Sequence, residues 1–396
     1  MRFLCLALIA ACAGAPVHPT LPSAPAQAPA RDLAAARQTA PHRDTPVGER
    51  DPRVVDLDII RITAHETAPG QVEMEHVAVA DLFEQATKAA KSGATDQALA
   101  IYRRIVDEFP ESKYAPTSLF DIAAIYDGRG DVTTTIATLR DLVKSYPQAR
   151  ESIDGHLYIA ALQADHEQYG EAIATLNEAL ARPNLTYADR IEAHARQGYC
   201  LLELKRYPDA DAALSAAIAD WHNVSRLDDP YYIAMAFYYR GEVAHRQFLE
   251  APVRLPDDQE IADLEHKRVL AVQAYDRWKE ALGFKHAYWA TASGYQMSQI
   301  FVELWEATVK APYPARIDAQ TRPQYVVEVH QRVREHLEKA LEGHRMNVEL
   351  AKAYGVDTQW SRASAQRAAQ VMELLAKDSA GQYVTPDSSE PVAAVR

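Results

Sequence analysis

The chain has 396 residues, of which 48% are hydrophobic and only 15 are glycine, and its formal net charge is -13 at pH 7. So acidic a chain repels a phosphate backbone, and we expect no nucleic-acid partner. The length allows two or three ordinary domains or one long repeat array, and the low glycine content favours an array of helices with few tight turns.

The first twelve residues have the pattern of an export signal. Arg2 precedes an apolar run from Phe3 to Ala11, which is too short to span a bilayer as a helix. The end of that run, Ile9-Ala10-Ala11-Cys12, resembles the lipobox of bacterial lipoproteins, whose cysteine becomes the lipidated first residue. The resemblance implies that Cys12 carries acyl chains that hold the protein to a membrane. The alternative is an ordinary signal that exports a soluble periplasmic protein.

The residues that follow Cys12 bear on which membrane the protein is held to. Ala13 stands at the second position of the mature chain and Gly14 at the third, and neither is the aspartate that would resemble a signal for retention in the inner membrane. We therefore predict the periplasmic side of the outer membrane. Residues 13–50 are rich in proline and alanine and are predicted to form a disordered tether.

Residues 51–80 have a different pattern, with β-branched residues at 54–62 and a weaker repeat of the pattern at 71–79. This predicts one or two short strands. Two interpretations remain open. The strands form a small strap packed on the first helices, or they offer an edge that pairs with a strand of a partner.

From residue 81 the apolar residues recur with a helical period, and one motif repeats. A small residue is followed four and seven positions later by apolar ones, and the leading residues are Ala98, Thr135, Ala172 and Ala210, which are 37, 37 and 38 positions apart. The first two copies end in an aromatic residue followed by proline, at 109–110 and 146–147. Such regularity predicts a stack of identical helix pairs.

This motif resembles the second helix of the tetratricopeptide repeat, and Gly198 and Leu201 resemble its first helix. The resemblance implies an all-α fold, a right-handed α-solenoid of helix pairs, with regular repeats over residues 81–225. Irregular repeats follow over 226–378, with Ala274, Trp278 and Ala281 as a later copy of the motif. Prolines near 252–256 and 312–323 predict insertions, a helix over 358–377 is the predicted cap, and 379–396 are predicted to be a disordered tail.

Residue types that could support catalysis or metal binding are present without a suitable spacing. Neither His65-Glu66 nor His166-Glu167 is followed by a second histidine on the same helical face. The acids and histidines over 328–336 are ordinary for an exposed helix. We expect no enzyme activity, no metal and no cofactor, and we expect Cys200 to be a buried apolar residue.

The resemblance also implies where a partner binds, because the groove of such arrays is lined by fixed positions of the first helices. Carried onto this chain, these positions are Phe120, Asp127, Leu157, Glu192, Tyr199 and Leu202. In the fifth unit either Ala236 or Gly241 is the small residue of the first helix. With Gly241 the groove also includes Met235, Tyr238 and Glu242. All nine side chains could instead be core between repeats.

Two functions follow as hypotheses. The first is a scaffold that binds envelope proteins or peptides, with basic peptides suited to the acidic edges of the groove. The second is a ligand-capturing lipoprotein that stacks a glycan or nutrient on the aromatic residues between Trp278 and Tyr313. Burial of these aromatic residues would favour the first function, and exposure around a cleft would favour the second.

Overall fold

The computed structural model describes residues 59–68, 71–224, 226–254 and 257–386. The predicted signal, Cys12, the tether and the end of the tail lie outside the described residues. Within them, the chain divides into two compact units, residues 59–185 and 186–386.

The first unit begins with an antiparallel hairpin of β1 (Ile60–Ala68) and β2 (Gln71–Ala78). Ile60 pairs with Ala78, and a bulge interrupts the ladder between Glu66 and Ala68. The two predicted strands are therefore present, and residues 54–58 of the first prediction lie outside the described residues. Arg61 of β1 binds the carboxylate of Glu108 at 3.1 Å and lies over the ring of Phe109, so the hairpin contacts the end of the first helix pair. Pairing with a strand of a partner stays a prediction.

Three helix pairs complete the first unit. They are α1 (Val79–Lys91) with α2 (Thr95–Glu108), α3 (Tyr114–Gly128) with α4 (Val132–Ser145), and α5 (Arg150–Asp165) with α6 (Tyr169–Leu180). The repeated stripe is buried in the second helix of each of these pairs, as shown by Tyr102, Leu139 and Leu176. The repeat motif thus works as predicted, because each stripe covers the preceding helix of its own pair.

The aromatic-proline pairs end helices as predicted. Phe109 is the C-terminal cap residue of α2 and Tyr146 that of α4, and both leave the helical conformation. The following proline cannot continue a helix, and it restricts the aromatic residue before it. The side chain of Phe109 is buried and closes the core of the first pair.

The second unit contains seven helices among its described residues. They are α7 (Tyr187–Glu203), α8 (Tyr207–Trp221), α9 (Tyr231–Glu250), α10 (Asp257–Gly283), α11 (Ala287–Val309), α12 (Arg322–Tyr354) and α13 (Gln359–Ser379). The connections α9–α10 and α11–α12 contain the predicted insertions, each between the two helices of a pair. The predicted cap is α13, which begins with a capping box of Thr358 and Ser361 and packs against α11 and α12.

Two glycines establish how the irregular repeats correspond to the regular ones. A Cβ atom added at Gly198 would lie 2.3 Å from Cγ of Leu214, and one added at Gly241 would lie 2.4 Å from Nε1 of Trp278. Leu214 and Trp278 occupy the same position of the repeated motif. Gly241, and not Ala236, is therefore the small first-helix residue of the fifth pair.

The predicted disordered tail, residues 379–396, needs correction at its start. The ring of Tyr383 packs on the ring of His330 with centroids 4.5 Å apart, and the carbonyl oxygen of Val384 lies 2.8 Å from Nε2 of His330. Val384 also packs against the core formed by α11, α12 and α13. Val384 and the ring of Tyr383 therefore hold the start of the tail against the helices. The polar composition of the tail did not predict this contact.

Candidate partner-binding surface

The first predicted groove residue of the second unit, Glu192, is paired with a buried arginine. Nε of Arg196 donates to Oε1 of Glu192 at 2.8 Å, and Nη2 of the same guanidinium donates to the hydroxyl of Tyr232 at 2.7 Å. Burial alone would lower the pKa of Arg196, but the neighbouring Tyr232 and Glu192 raise it. The charge of Glu192 is thus balanced inside the protein, so this carboxylate does not add to the acidity of the surface.

The fifth pair buries its predicted groove residues in the same way. Nε2 of Gln296 donates to Oε1 of Glu242 at 2.9 Å, which ties α11 to α9. The ring of Tyr238 lies 5.1 Å from that of Trp289, and burial raises the pKa of the Tyr238 hydroxyl. Met235 is also buried. These side chains hold neighbouring helices together.

A histidine and a carboxylate form a second link between α9 and α11. Nε2 of His245 lies 2.6 Å from Oε2 of Glu303, and Nδ1 lies 4.0 Å from Oε2 of Glu242. Burial lowers the pKa of His245, but the two carboxylates outweigh burial and raise it to about 10. Burial raises the pKa of Glu303 and His245 lowers it, with a net lowering. His245 is therefore an imidazolium that neutralises carboxylates within the fold.

In the first unit, the predicted groove residues also contact neighbouring repeats. The rings of Phe120 and Tyr158 lie 5.8 Å apart, and the hydroxyl of Tyr158 donates to Oδ2 of Asp127 at 2.7 Å. Phe120 and Leu157 are buried, whereas Asp127 is only half-buried. The carboxylate of Asp127 is thus fixed in place by a neighbouring helix and keeps part of its surface accessible to solvent.

Of the nine predicted groove residues, seven are buried and two are half-buried, Asp127 and Tyr199. The ring of Tyr199 lies 4.9 Å from that of Tyr239. The role of all nine in binding a partner stays a prediction. Among them, Asp127 and Tyr199 keep solvent-accessible surface. The buried Arg196 and His245 and the half-buried Glu303 were missed. They pair with residues on another helix or one turn away, and the sequence does not show which side faces inward.

Four of the aromatic residues between Trp278 and Tyr313 form core, whereas Tyr288 and Tyr313 are half-buried. Trp278 is 0% exposed, Trp289 2% and Trp305 1%, and Tyr295 is buried as well. Trp289 contacts Tyr231, Tyr238 and Tyr239 at centroid distances of 5.1 to 5.7 Å. The interpretation as core packing is confirmed for these side chains, and they offer no face on which a sugar could stack.

The histidines singled out in the sequence have structural neighbours. Both ring nitrogens of His330 lie within hydrogen-bond distance of oxygens, with Nδ1 at 2.5 Å from Oδ1 of Asp378. Nδ1 of His166 lies 2.8 Å from the carbonyl oxygen of Leu162 in its own helix. Cys200 is buried, as predicted. Among the described residues, no three histidine, cysteine or acidic side chains are grouped as metal ligands, and no helix is long and apolar enough to cross a membrane.

A feature that the sequence reasoning missed is a groove between α12 and α13, of about 630 Å³. It is lined by residues of α12 from Glu338 to Ala353 and by Leu375 of α13. Met346, which belongs to the lining, is 60% exposed, and Met372 of α13, outside the lining, is 47% exposed. Little in the sequence signalled this groove, because Leu341 and Leu350 lie on opposite sides of α12 and Leu341 packs against the core.

Comparison with known proteins identifies the repeats. Residues 71–229 match the family model of the tetratricopeptide repeat-like domain. No curated protein matches the chain significantly. Among solved structures, the C-terminal part of a tetratricopeptide repeat-containing protein from Cytophaga hutchinsonii is 11% identical, covering 76% of this chain and 100% of its own, with a TM-score of 0.40.

Two further solved structures are similar. A tetratricopeptide repeat protein from Parabacteroides merdae is 11% identical, covering 75% of this chain and 98% of its own, with a TM-score of 0.34. MamA from Desulfovibrio magneticus is 14% identical, covering 49% and 94%, with a TM-score of 0.33. The match over residues 71–229 shows that this part of the chain contains tetratricopeptide-like repeats, a fold that supports protein-interaction scaffolds.

Proposed function

We propose that this tetratricopeptide-like chain is a non-enzymatic scaffold of a bacterial cell-envelope assembly, held to the outer membrane by a lipid on Cys12. The observation that carries the scaffold role is the repetition of one helix pair, with the motif positions Ala98, Ala172 and Ala210 all buried at the same place in their pairs. A stack of such pairs presents equivalent first-helix positions side by side, which suits recognition of an extended peptide or a helix.

The proposed contact residues are Asp127 for the first unit and Tyr199 for the second, because each keeps accessible surface while a neighbour in its own unit fixes its position. Tyr158 holds the carboxylate of Asp127, and Tyr239 packs against Tyr199. A side chain fixed before binding loses little entropy when a partner arrives. A carboxylate and an aromatic ring suit a partner that carries lysine or arginine.

The envelope location rests on the sequence of residues 1–12, with Arg2, the apolar run and the lipobox-like Ile9-Ala10-Ala11-Cys12. Lipid attachment at Cys12 would hold the repeats close to envelope proteins at a membrane surface. Labelling cells with an alkyne fatty acid tests this point. We expect label on the full chain and none on a Cys12→Ala variant, which should move from the membrane fraction to the soluble fraction. Label that persists in Cys12→Ala would contradict the anchor.

Crosslinking in intact cells tests the scaffold role. We expect the full chain to recover a defined set of envelope proteins, and we expect recovery to fall by about tenfold, equivalent to about 1.4 kcal/mol, in a double variant Asp127→Asn, Tyr199→Leu. The control is Asp107→Asn, which removes an exposed carboxylate from a second helix, α2. Equal recovery by all three chains would overturn the proposed contact residues, and recovery of no protein would overturn the scaffold role.

The runner-up function, capture of a glycan or nutrient by the aromatic second half, has no observation in its favour. The tryptophans on which it depended are buried in the helix contacts described above. Any aromatic surface for a sugar would have to come from other residues.

A further inference from the structure

The hairpin of β1 and β2 carries an exposed apolar face. Ile60 and Ile62 are 58% and 54% exposed, and Met74 of the neighbouring strand is 52% exposed. Side chains alternate between the two faces of a strand, and Met74 pairs with Ala64, so these side chains all lie on one face. Val77 lies on the other face, where it is buried in the core of α1 and α2. The hairpin is thus held to the helices by one face and presents the other to solvent.

The outer edge of β1 is open as well. Among the described residues the sheet has two strands, so neither strand has a second neighbour. The N–H of Val79 donates to the carbonyl oxygen of Ile59 at 3.2 Å, which sets the phase of the ladder. Because hydrogen-bonded and non-hydrogen-bonded pairs alternate along an antiparallel ladder, Ile60, Ile62 and Ala64 direct their N–H and carbonyl groups away from β2. Such groups are a template on which a further strand adds.

The charge distribution favours a second copy of this chain at that edge. Two chains of net charge -13 repel each other, so a contact between them needs a surface without acids. β1 contains no acidic residue from Ile60 to His65, whereas β2 contains Glu73 and Glu75. Pairing of two β2 strands about Met74 would place acidic residues opposite each other, and like charges directly opposite are destabilising. β1 is therefore the edge on which two copies can meet.

We propose that β1 pairs with β1 of a second copy, antiparallel about a two-fold axis at Ile62. In this register Ile62 lies opposite its own copy and Ile60 lies opposite Ala64. The outward groups of these residues then form about six backbone hydrogen bonds across the contact. A β-branched residue also meets an apolar neighbour on the exposed face, which stabilises a strand pair. The contact is the same on both chains, so it closes as a dimer and does not continue as a fibre.

Two further features of β1 fit this register. On the face that is held to the helices, Arg61 lies opposite Thr63, and Arg61 is already paired with Glu108 of its own chain. The outward positions from Ile60 to Ala64 contain no proline and no charged residue, which are the usual means of keeping edge strands apart. The pairing ends before Glu66, where a bulge interrupts the ladder of β1 and β2.

The chain's own preceding residues fit this edge less well. Residues 13–53 contain eight prolines, which lack the N–H that a ladder requires. Residues 54–58 precede β1 directly and are too few to turn back and pair with it. The inference depends neither on the proposed scaffold role nor on the lipid at Cys12, because it concerns a strand outside the helix pairs.

Disulfide trapping on the purified full chain tests the register. Directly opposite residues in a hydrogen-bonded antiparallel pair have Cα atoms about 5.5 Å apart, within the range of a disulfide. We expect Ile62→Cys to form a covalent dimer under mild oxidation. The matched control is Met74→Cys, on the same face and nearly as exposed, but separated from its copy by three strand spacings, at least about 14 Å. The control should form at least tenfold less dimer.

Proline variants separate strand pairing from non-specific apolar association. The N–H of Ile62 points outward, so Ile62→Pro removes a hydrogen bond of the new contact and none of the hairpin ladder. In sedimentation velocity over a series of concentrations, we expect Ile62→Pro to weaken the dimer at least tenfold. Met74→Pro makes the same change at the outer edge of β2 and should leave the dimer intact. Both variants should keep the thermal transition of the unchanged chain.

Trapping at position 62 together with a dimer that only Ile62→Pro weakens supports the inference. A monomer at all concentrations overturns it, as does a dimer that Ile62→Pro leaves intact. Equal trapping of Met74→Cys would assign the contact to the apolar face and not to the edge of β1. A monomer in which the N–H of Ile62 is protected from hydrogen exchange would assign the edge to the chain's own residues. Either of these two results also overturns the inference.

Discussion

A hydrogen atom at position 198 allows α7 and α8 to pack closely. The side chain of Leu214 fills the space where a Cβ atom would stand, and Trp278 does the same at Gly241. A methyl group at either position must displace a buried side chain, and overpacking of a core costs roughly 1–3 kcal/mol. We therefore expect Gly198→Ala and Gly241→Ala each to lower the free energy of unfolding by that amount in urea titrations.

Gly283 supplies the control for this prediction. It ends α10 in the same unit, and a Cβ atom added there would have no neighbour within 4 Å. Alanine at a helical position stabilises by up to about 1 kcal/mol relative to glycine. Gly283→Ala should therefore be neutral or slightly stabilising. A Gly198→Ala variant as stable as Gly283→Ala would show that Leu214 can move aside without cost.

At the scale of helices, charged pairs and hydrogen bonds join first helices that are far apart in sequence. His245 of α9 and Glu303 of α11 are 58 residues apart, and Gln296 joins the same two helices through Glu242. The pKa of His245 in the folded protein, about 10, lies above its usual value of about 6.5 in an unfolded chain. Folding therefore takes up a proton at intermediate pH.

This pair predicts a pH dependence of stability. Its contribution is fully present below about pH 6.5, where His245 is protonated in both states, and it is lost as the pH rises through about 10. Breaking a buried pair costs about 3–5 kcal/mol, so Glu303→Gln should destabilise the protein by that order at pH 6. Urea titrations between pH 6 and 10 should show the two proteins converging as the pH rises. A constant difference would mean that His245 is not the titrating group.

The repeated stripes could be predicted from the sequence because they depend on local spacing. Ala98, Tyr102 and Ile105 lie on one helical face whatever the rest of the chain does. The helix ends at Phe109 and Tyr146 could be predicted for the same reason, since the proline that follows each residue restricts its backbone. The contact between His245 and Glu303 could not be predicted, because it depends on how far α9 and α11 approach each other.

At the scale of the whole molecule, the predicted groove residues were assigned from a resemblance that gives positions but not accessibility. Leu157, Leu202 and Met235 occupy those positions and are buried. The groove beside α12 was missed for the opposite reason, because Met346 resembles a core residue in the sequence and only the structure shows that it is 60% exposed.

The division into two compact units predicts that the second can fold by itself. Residues 186–386 contain their own core, including Trp278, Trp289 and Trp305, and the first helix begins with a capping box of Thr186 and Asp189 that lies within this unit. A fragment of residues 184–396 keeps that cap, so we expect helical circular dichroism and one cooperative thermal transition. A fragment beginning at residue 207 lacks α7, so Leu214 loses the helix surface at Gly198 against which it packs. This fragment should unfold without a cooperative transition. If the longer fragment also melts without a cooperative transition, the core of residues 186–386 depends on the rest of the chain.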